Sequence, residues 1–379
     1  MALNPRTVYN VVRNHWSLVE TERDTAGKFD RPLTRRLWLW RHGFLTRSDV
    51  LFDLDRHSID DYLSDYERFV GTPDINGTWS HALDHKLVFH WMLGGFAEHR
   101  PTVYGLLRDG RFLPAGALHE SDGTVQLTAD GDSGDAATRV VDLLEREGDL
   151  VLKWKSGGGG NNVLLCSADP TGEELDGGDG DRILVNGDAE SRDAFARRVR
   201  DLDDYLVCEF VEQASSQARL YPDTPNTIRM ITMCDEKGSF VAMAIQRMGS
   251  DRSYPMDNFS QGGLNAEIDV ETGELTAATQ LPESGEPVWH ETHPDTGSRI
   301  AGTEIPGWEQ IRDKVLGIAA HNQHVPYVGW DVLPTDDEGG FTIVEGNSYP
   351  GTKAMQVHRP LLEDDRVRRF YDSHDVLVR

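Results

Sequence analysis

The sequence is poor in positive charge and cysteine, and it has no long apolar run. Its 379 residues include 38 Lys and Arg against 64 Asp and Glu, which gives a formal net charge of −26. Such an acidic chain repels phosphate backbones and anionic lipid surfaces, so a broad nucleic-acid or membrane-surface binding role is excluded. No segment approaches the ~18 apolar residues of a membrane-spanning helix, and the first residues lack an apolar signal core. We therefore expect a soluble, cytoplasmic protein.

Cysteine and lysine are both scarce. The three cysteines lie far apart without CxxC spacing, which argues against a disulfide framework and against a Cys-based zinc site. Only seven residues are lysine. Abundant Asp with scarce Lys is typical of proteins from a high-salt cytoplasm, where salt screens self-repulsion. An ordinary acidic protein is the alternative.

The remaining composition indicates a folded chain of mixed class. A hydrophobic content of 38% and nine Trp argue against disorder, and the length suggests two or three domains. Helical spacing predicts a helix after a Ser58 cap, through Tyr66, and further helices at 84–96, 134–147, 191–205 and 308–321. Mostly antiparallel strands lie between them, and VGWDVL and FTIVEGN form a final hairpin. This mixture predicts an α+β fold.

The segment LVLKWKSGGGG (150–160) is the first with chemical content. Strand alternation places Lys153 and Lys155 on one face, directly before the run Gly157–Gly160. Glycine allows backbone N–H groups to approach an anion, and lysine supplies a point charge for phosphate oxygens. The order of lysines and glycines differs from a Walker A loop. A solvated strand with a flexible turn is the alternative reading.

Charged residues interrupt three further apolar strands. In YLVCEFVEQ (205–213), Glu209 sits where a strand bending into a linker would offer backbone groups to an adenine edge; a half-exposed acidic residue is the alternative. Arg229 and Arg247 lie inside apolar strands, where an unpaired charge is costly. Each arginine therefore needs an anion, either a protein carboxylate or a phosphate or carboxylate of a ligand.

The final hairpin carries the most specific pattern. Asp331 lies on one strand, and Glu345 and Asn347 lie two residues apart on the other, so all three share one face once the strands pair. Carboxylate and amide oxygens are ligands that suit Mg²⁺. His321 and His324 resemble a metal pair only superficially, because no third ligand is in view; a surface or helix-capping role is preferred.

In this order the segments resemble the ATP-grasp superfamily. NTIRMITM, AIQR, NFSQGG (258–263) and the closing D…ExN are similar to the ribosomal-protein glutamate ligases, although Ser260 and Gln261 replace a basic pair of that group. GFLTRSDVLFDLDRHSIDDYLSDYERF, ING (75–77) and DHKLVFHWML are similar to the sugar-transfer-associated ATP-grasp family, found near cell-surface polysaccharide genes. The resemblance covers most of residues 40–360.

The resemblance implies an ATP-grasp fold, in which two α+β subdomains clasp ATP, with an N-terminal helical region. The implied domains are an aromatic-rich helical region (1–75), a pre-ATP-grasp segment (76–130), a lid subdomain with the Lys strand, Gly-rich loop and hinge (131–213), and a C-terminal subdomain with the Arg strands and the Mg site (214–379).

The resemblance also implies a role for each candidate residue. The ATP phosphates would be held by Lys86, Lys153, Lys155, Gly158, Gly159 and Gly160. Adenine would lie against Glu209, Phe210 and Val211, with Glu212 at the ribose. One or two Mg²⁺ ions, or Mn²⁺ in their place, would be bound by Asp331, Glu345 and Asn347. The catalytic residues would be Arg229 and Arg247, which neutralise the transferring group, and Asn258, which orients substrate or completes the metal shell.

The implied activity is an ATP-dependent carboxylate–amine ligase that works through an acylphosphate, in cell-surface polysaccharide or glycoconjugate biosynthesis. Its partners would be ATP, a carboxylate, an amine acceptor and glycosyltransferases of the same pathway. Two alternatives remain: a small-molecule or sugar kinase that uses the same residues, and a non-catalytic nucleotide-binding partner of glycosyltransferases. The intact D…ExN set counts against the second, because a binding module has no need of every metal ligand.

Overall fold

A computed structural model describes residues 5–54, 56–115, 118–121, 124–127, 135–157, 162–168, 182–283 and 285–378. The chain divides into two compact units. One combines Met1–Leu83 with Gln213–Arg379, and the other is Asp84–Glu212. Each unit has its own antiparallel sheet with helices packed on it, so the predicted α+β class is confirmed. Among the described residues, no helix is long and apolar enough to cross a membrane.

The chain begins with four helices: α1 (Pro5–Ala26), α2 (Leu33–Arg41), α3 (Thr46–Leu51) and α4 (Ser80–Asp84). The helix predicted after Ser58 is wrong. Ser58 caps only one 3₁₀ turn, Ile59–Asp61, and Tyr62 is already extended, with φ −95° and ψ 137°. Tyr62 and Leu63 are nevertheless buried, and Tyr62 stacks on Phe52 with ring centroids 4.5 Å apart. The apolar spacing therefore correctly indicated which side chains are buried but not the backbone conformation. Here tertiary packing outweighs the helical preference of the sequence.

The Asp84–Glu212 unit is built from these elements: α5 (Lys86–Met92), β1 (Val103–Arg108), β2 (Arg111–Pro114), β3 (Leu118–Ser121), β4 (Thr124–Leu127), α6 (Ala136–Glu147), β5 (Asp149–Trp154), β6 (Val163–Ala168), β7 (Arg182–Val185), β8 (Asp188–Ser191), α7 (Arg192–Asp201) and β9 (Tyr205–Glu209). Its sheet has the order β2-β1-β9-β5-β6-β7-β8, and β3 pairs with β4 apart from it. The nonconsecutive neighbours place β9 between β1 and β5.

Local signals explain the two long helices of this unit, both of which were predicted. The Asp135 side chain accepts from the Thr138 N–H (3.1 Å) at the start of α6. Ser191 accepts from the Ala194 N–H (3.3 Å) at the start of α7. Such caps satisfy backbone donors that have no partner inside the helix. Apolar side chains of both helices, including Phe195, pack into the core over the sheet.

The C-terminal part continues with α8 (Ser215–Leu220), β10 (Ile228–Asp235), β11 (Gly238–Met248), β12 (Leu264–Ile268), β13 (Ala278–Gln280), β14 (Trp289–His290), α9 (Trp308–His321), β15 (Tyr327–Pro334), β16 (Phe341–Asn347), α10 (Lys353–Gln356) and α11 (Asp365–Ser373). The sheet order is β14-β13-β12-β11-β10-β15-β16. The predicted helix at 308–321 and the β15–β16 hairpin are confirmed.

The N-terminal helical region is part of the same unit as this sheet. Asn76 is buried; its amide donates to the Tyr327 carbonyl (2.6 Å) and the Ser348 carbonyl (3.3 Å), and its oxygen accepts from the Tyr327 N–H (3.1 Å). Asp65 is also buried and pairs with the Lys353 ammonium at 2.7 Å. These contacts attach the N-terminal region to the end of the β15–β16 hairpin.

Candidate functional site

A row of polar side chains lies on one face of the C-terminal sheet. Arg229 on β10 is directly opposite Asp331 on β15 and Ile245 on β11. Arg247 lies two residues beyond Ile245, so it projects on the same face. The register therefore brings together Arg229, Arg247 and Asp331, which lie on three different strands and are up to 102 positions apart in sequence.

The two arginines converge on the carboxylate of Asp331. Arg229 donates through Nη2 to Asp331 Oδ2 (2.9 Å) and through Nε to Oδ1, and Arg247 donates through Nη1 to Oδ2 (3.1 Å). All three side chains are largely buried, with 16%, 12% and 7% of the Arg229, Arg247 and Asp331 side chains exposed. Of the two anions left open by the sequence, the structure places a protein carboxylate between the arginines.

Ion pairing favours the charged forms of Asp331 and Arg247. Burial alone would raise the pKa of Asp331, but the guanidinium groups of Arg229 and Arg247 hold that pKa below its usual value. Burial alone would lower the pKa of Arg247, but Asp257 and Asp331 raise it overall. A deprotonated Asp331 is the state in which a carboxylate binds a metal.

Asp257 is a part of the cluster that sequence reasoning missed. Arg247 Nη2 donates to Asp257 Oδ1 and to Asn258 Oδ1, the latter at 3.1 Å. Asp257 also accepts from the Thr227 N–H (3.0 Å), which anchors it to the start of β10. At Gly263 a Cβ atom would lie 2.6 Å from the Asp257 carbonyl oxygen, so only glycine fits there. The only sequence signal for Asp257 is its place beside Asn258.

The predicted metal-binding residues share this face. Glu345 is directly opposite Asp331 across β15 and β16, and Asn347 is opposite Gly329. The Asn347 amide donates to the Gly329 carbonyl (3.2 Å), which leaves its side-chain oxygen as the group able to bind a cation. At Gly329 a Cβ would lie 2.6 Å from Pro350, so the glycine lets the chain after β16 pack closely.

The donor set fits Mg²⁺ in its chemistry. It offers two carboxylates and one amide oxygen, all hard ligands. With Asp257, Asp331 and Glu345 against Arg229 and Arg247, the cluster has a formal charge of −1, which favours a cation. Across the described ranges, no group of three or more His, Cys, Asp or Glu side chains is arranged to hold a metal ion. An ion here would therefore need Asn347 and ligand oxygens or water as well.

The Asp84–Glu212 unit carries the predicted nucleotide-binding residues. Lys86 is the first residue of α5, and its ammonium donates to the Gly157 carbonyl at 2.5 Å. Its backbone N–H donates to the Lys155 carbonyl at 2.8 Å. Lys86 thus lies at the start of the glycine run. Gly158, Gly159 and Gly160 are outside the described residues, so their role stays a prediction.

Lys153 and Lys155 differ in their surroundings. Lys153 is on β5, between Val163 of β6 and Leu206 of β9. Lys155 lies beyond the strand end; its ammonium pairs with the carboxylate of Asp204, and its N–H donates to the Asp204 carbonyl (2.9 Å). The hydrogen bond from Lys155 lowers the pKa of Asp204. Sequence reasoning missed Asp204, which must share Lys155 with any phosphate.

His90 is a second neighbour of the lysines that sequence reasoning missed. It lies one helical turn after Lys86 on α5, and this i,i+4 spacing could have predicted that the two side chains are neighbours. Burial, with the nearby charges of Arg100 and Lys153, lowers the pKa of His90 to about 4. His90 is therefore neutral at physiological pH, and the local positive charge comes from Lys153 and Arg100.

Glu209 is the last residue of β9, at the start of the predicted adenine segment. Its carboxylate accepts from the Thr102 N–H (2.9 Å), and its own N–H donates to the Thr102 carbonyl (3.0 Å). Phe210, Val211 and Glu212 follow outside any strand, so no sheet ladder uses their backbone groups. Whether they receive adenine stays a prediction.

Two α+β units, each with an antiparallel sheet, are the architecture of an ATP-grasp protein. Within that class, the chain belongs to the sugar-transfer associated ATP-grasp family, whose sequence model matches residues 80–364, about three quarters of the chain. The resemblance seen in the sequence is therefore confirmed. No curated protein matches the sequence.

Several solved structures are similar to the chain at low identity. The ATP-grasp ligase PsnB, complexed with a minimal precursor, is 11% identical over 74% of this chain and 58% of that one, with a TM-score of 0.36. The D-alanine–D-alanine ligase from Coxiella burnetii is 11% identical over 78% and 59%, with a TM-score of 0.35. D-Alanyl-alanine synthetase A from Vibrio cholerae is 7% identical over 78% and 66%, with a TM-score of 0.41. The chain thus matches about three fifths of the length of the first two.

Proposed function

We propose that this protein is an ATP-dependent carboxylate–amine ligase that works through an acylphosphate and acts in the assembly of a cell-surface polysaccharide or glycoconjugate. The observation that carries the proposal is the convergence of Arg229, Arg247, Asp331, Glu345 and Asn347 on one face of the C-terminal sheet. Phosphoryl transfer requires charge neutralisation and positioning more than covalent chemistry from the protein, and this cluster supplies both.

The arginines have the geometry for transition-state stabilisation. Asp331 holds both largely buried guanidinium groups in a fixed orientation, so little reorganisation is needed when negative charge develops. Each guanidinium has five N–H groups, of which Asp331 takes only some. In the proposed reaction, a substrate carboxylate attacks the γ-phosphorus of ATP and ADP leaves. Arg229 and Arg247 donate to the transferring group.

The second step forms the amide. An amine attacks the acyl carbon, the bond to the phosphate breaks, and inorganic phosphate leaves with the electron pair. The amine loses one proton to solvent, because none of the residues assigned here acts as a general base. Asn258, whose side-chain oxygen is held by Arg247 at 3.1 Å, would orient the substrate.

The other residues keep the roles that the resemblance implies. Asp331, Glu345 and Asn347 would hold Mg²⁺, which supplies neutralisation of the β- and γ-phosphate charge. Lys86, Lys153 and Lys155 would bind the phosphates, with Glu209, Phe210 and Val211 at adenine and Glu212 at the ribose. The association of this family with sugar transfer supports a role in that process and hence glycosyltransferase partners.

Product analysis tests the proposal. Purified protein is incubated with ATP, Mg²⁺ and a pooled extract of small molecules in a high-salt buffer, and the products are identified by mass spectrometry. We expect ADP, inorganic phosphate and a condensation product that has lost one water. A stable phosphoester without free phosphate would instead establish the kinase. AMP with pyrophosphate would exclude the acylphosphate route, and no turnover with ATP bound would favour the non-catalytic alternative.

A metal-site variant adds a second test. Glu345→Ala should remove Mg²⁺-dependent turnover while the circular dichroism spectrum and the melting temperature are retained. Glu338→Ala, in the exposed β15–β16 turn of the same hairpin, is the matched control and should keep full turnover. Turnover of Glu345→Ala equal to that of the control would reject the metal assignment.

A further inference from the structure

A cavity of about 610 Å³ lies in the larger unit, beside β14, an edge strand of the C-terminal sheet. The N-terminal helical region contributes Arg31, Arg35 and Asp49, and the sheet side contributes Glu286 and Trp289. The volume is within the range of about 300–1,000 Å³ that is usual for small-molecule sites. None of the residues assigned to ATP or to metal lines this cavity.

The charged groups of the cavity are held in place by one another. Arg31 Nε binds Asp49 Oδ2 (2.8 Å) and Arg31 Nη2 binds Glu286 Oε1 (3.0 Å), while Arg35 Nη2 binds Asp49 Oδ1 (2.5 Å). The two arginines are thus fully matched by carboxylates, and Asp53 adds a third acid to the lining. A cavity with no excess of positive charge does not favour an anion. It does present both N–H donors and carboxylate acceptors in fixed orientations.

Trp289 gives the cavity an aromatic wall. Its side chain is 48% exposed, although it lies on β14, and its ring centroid is 5.3 Å from that of His358. Phe52 and Val357, both buried, form apolar lining. The exposed indole can stack on the apolar C–H face of a ring. Hydroxyl groups on the edge of that ring each donate and accept a hydrogen bond, so they match the paired donors and acceptors of the cavity.

The strand register places Trp289 on the same face of the sheet as the arginine cluster, with the buried residues Asn265 and Thr279 between them. Arg247 is directly opposite Asn265, Asn265 is opposite Thr279, and Thr279 is opposite Trp289. Residues opposite each other in antiparallel strands project on the same face. Trp289 and Arg247 therefore lie on one face of one sheet, three strand spacings apart, or about 14 Å.

We propose that the Trp289 cavity binds an uncharged sugar ring of the acceptor substrate, about 14 Å along the sheet from the arginine cluster. A single ring does not cover that distance, and Asn265 and Thr279 on the direct line are buried, so the acceptor would be an extended saccharide or glycoconjugate that passes around them. Binding to a remote part of the substrate positions the reacting end. The link to the reaction rests on the proposed ligase function, whereas sugar binding by the cavity does not.

Saccharide titrations test the proposal with the full chain. Maltose, lactose and di-N-acetylchitobiose are the probes, with glucuronate as a charged comparison, and saturation-transfer NMR and tryptophan fluorescence measure binding. We expect at least one of the three disaccharides to bind in the millimolar range, and glucuronate to bind more weakly. Trp289→Ala should weaken binding about tenfold or more, and Trp289→Phe should retain most of it. Trp16→Ala, on α1 and 61% exposed, is the matched control and should bind as the wild type does.

The outcomes separate this proposal from the ligase function. If no disaccharide binds, or if Trp289→Ala binds as well as Trp16→Ala, the cavity is not a sugar site, whatever the ATP assays show. If sugar binding depends on Trp289 but no ADP is formed with any substrate, the cavity proposal stands and the ligase function fails.

Discussion

The two groups of candidate residues are built in different ways. The arginine–carboxylate cluster of the C-terminal sheet is buried, and mutual ion pairs join its members on three strands and the Asp257 segment. The lysines of the Asp84–Glu212 unit lie at the end of a strand and the start of a short helix, where they are partly exposed. The buried cluster is preorganised and also contributes to stability. If the lysine group binds phosphate as proposed, we expect it to contribute little to stability.

The first prediction concerns the buried cluster and has the largest expected effect. Asp331→Ala leaves Arg229 buried without its carboxylate and removes one of the two carboxylate partners of Arg247. Removal of one member of a buried ion pair costs about 3–5 kcal/mol. We expect a loss of that size in the free energy of unfolding, measured by urea denaturation, together with loss of ATP turnover.

The matched control for this variant is Asp313→Ala. Asp313 pairs with Arg312 at 2.9 Å on α9 but is 59% exposed, and such surface pairs contribute about 0–1 kcal/mol. Equal stability of the two variants would show that the cluster is not a structural element.

The second prediction concerns the lysine group. Lys153→Ala should weaken ATP binding about 100-fold, because a charge-assisted contact to phosphate is lost, while the free energy of unfolding changes by less than about 1 kcal/mol. Isothermal titration with ATP and Mg²⁺ measures the affinity. Lys314→Ala, at an exposed position of α9, should bind ATP as the wild type does. Retained affinity in Lys153→Ala would mean that the phosphate site lies elsewhere.

A third prediction uses His358, whose pKa is lowered to about 3 by burial and by the charge of Arg359. The groups around it are Asn265, Trp289 and Arg359, the last paired with Glu267. In the unfolded chain His358 becomes protonated near its ordinary pKa of 6.5, whereas in the folded chain it stays neutral until about pH 3. Stability therefore falls as pH falls through this window, by up to ~1.4 kcal/mol per pH unit from this group.

His358→Gln should flatten that slope between pH 6.5 and pH 4, as measured by denaturation at each pH. Glutamine can still donate to the Asn265 oxygen that His358 Nε2 contacts at 2.5 Å. His321→Gln, at an exposed helix end, serves as the control and should leave the slope unchanged. An unaltered slope in His358→Gln would show that another group governs the acid response.

The smallest effect is expected from Asp204→Asn. The variant releases the Lys155 ammonium from its ion pair and removes a negative charge near the phosphates. ATP affinity should rise by a factor of about 2 to 10, which corresponds to the modest contribution of a partly exposed ion pair. Asp201→Asn, at the exposed end of α7, is the control for the change in net charge. A fall in affinity would mean that Asp204 positions Lys155 for phosphate.

Local patterns made much of the fold predictable. Helices α6, α7 and α9 and the β15–β16 hairpin were predicted and are confirmed, because each depends on residues close in sequence, such as the Asp135 and Ser191 caps that the structure shows. The same locality placed Asp331 beside Glu345. The helix after Ser58 failed because Tyr62 is buried through a stack on Phe52, a contact that spacing does not encode.

Contacts between residues on different segments could not be predicted from the sequence. Asp204 and Asp257 became visible only when strand register and loop position brought them to Lys155 and Arg247. The Trp289 cavity depends on N-terminal helices that pack near an edge strand more than 200 residues later, as the contact between Arg31 and Glu286 shows. A residue on an irregular segment has no periodicity from which its contacts follow.

The contacts of Asn76 have a consequence for synthesis. The side chain binds Tyr327, which is 251 residues further along the chain. At about 5–20 residues per second, the ribosome needs roughly 13–50 s to supply that partner. The contiguous Asp84–Glu212 unit is complete well before then, whereas the N-terminal helices must wait with their apolar faces unmatched. We therefore expect the nascent N-terminal segment to need protection from aggregation during that interval.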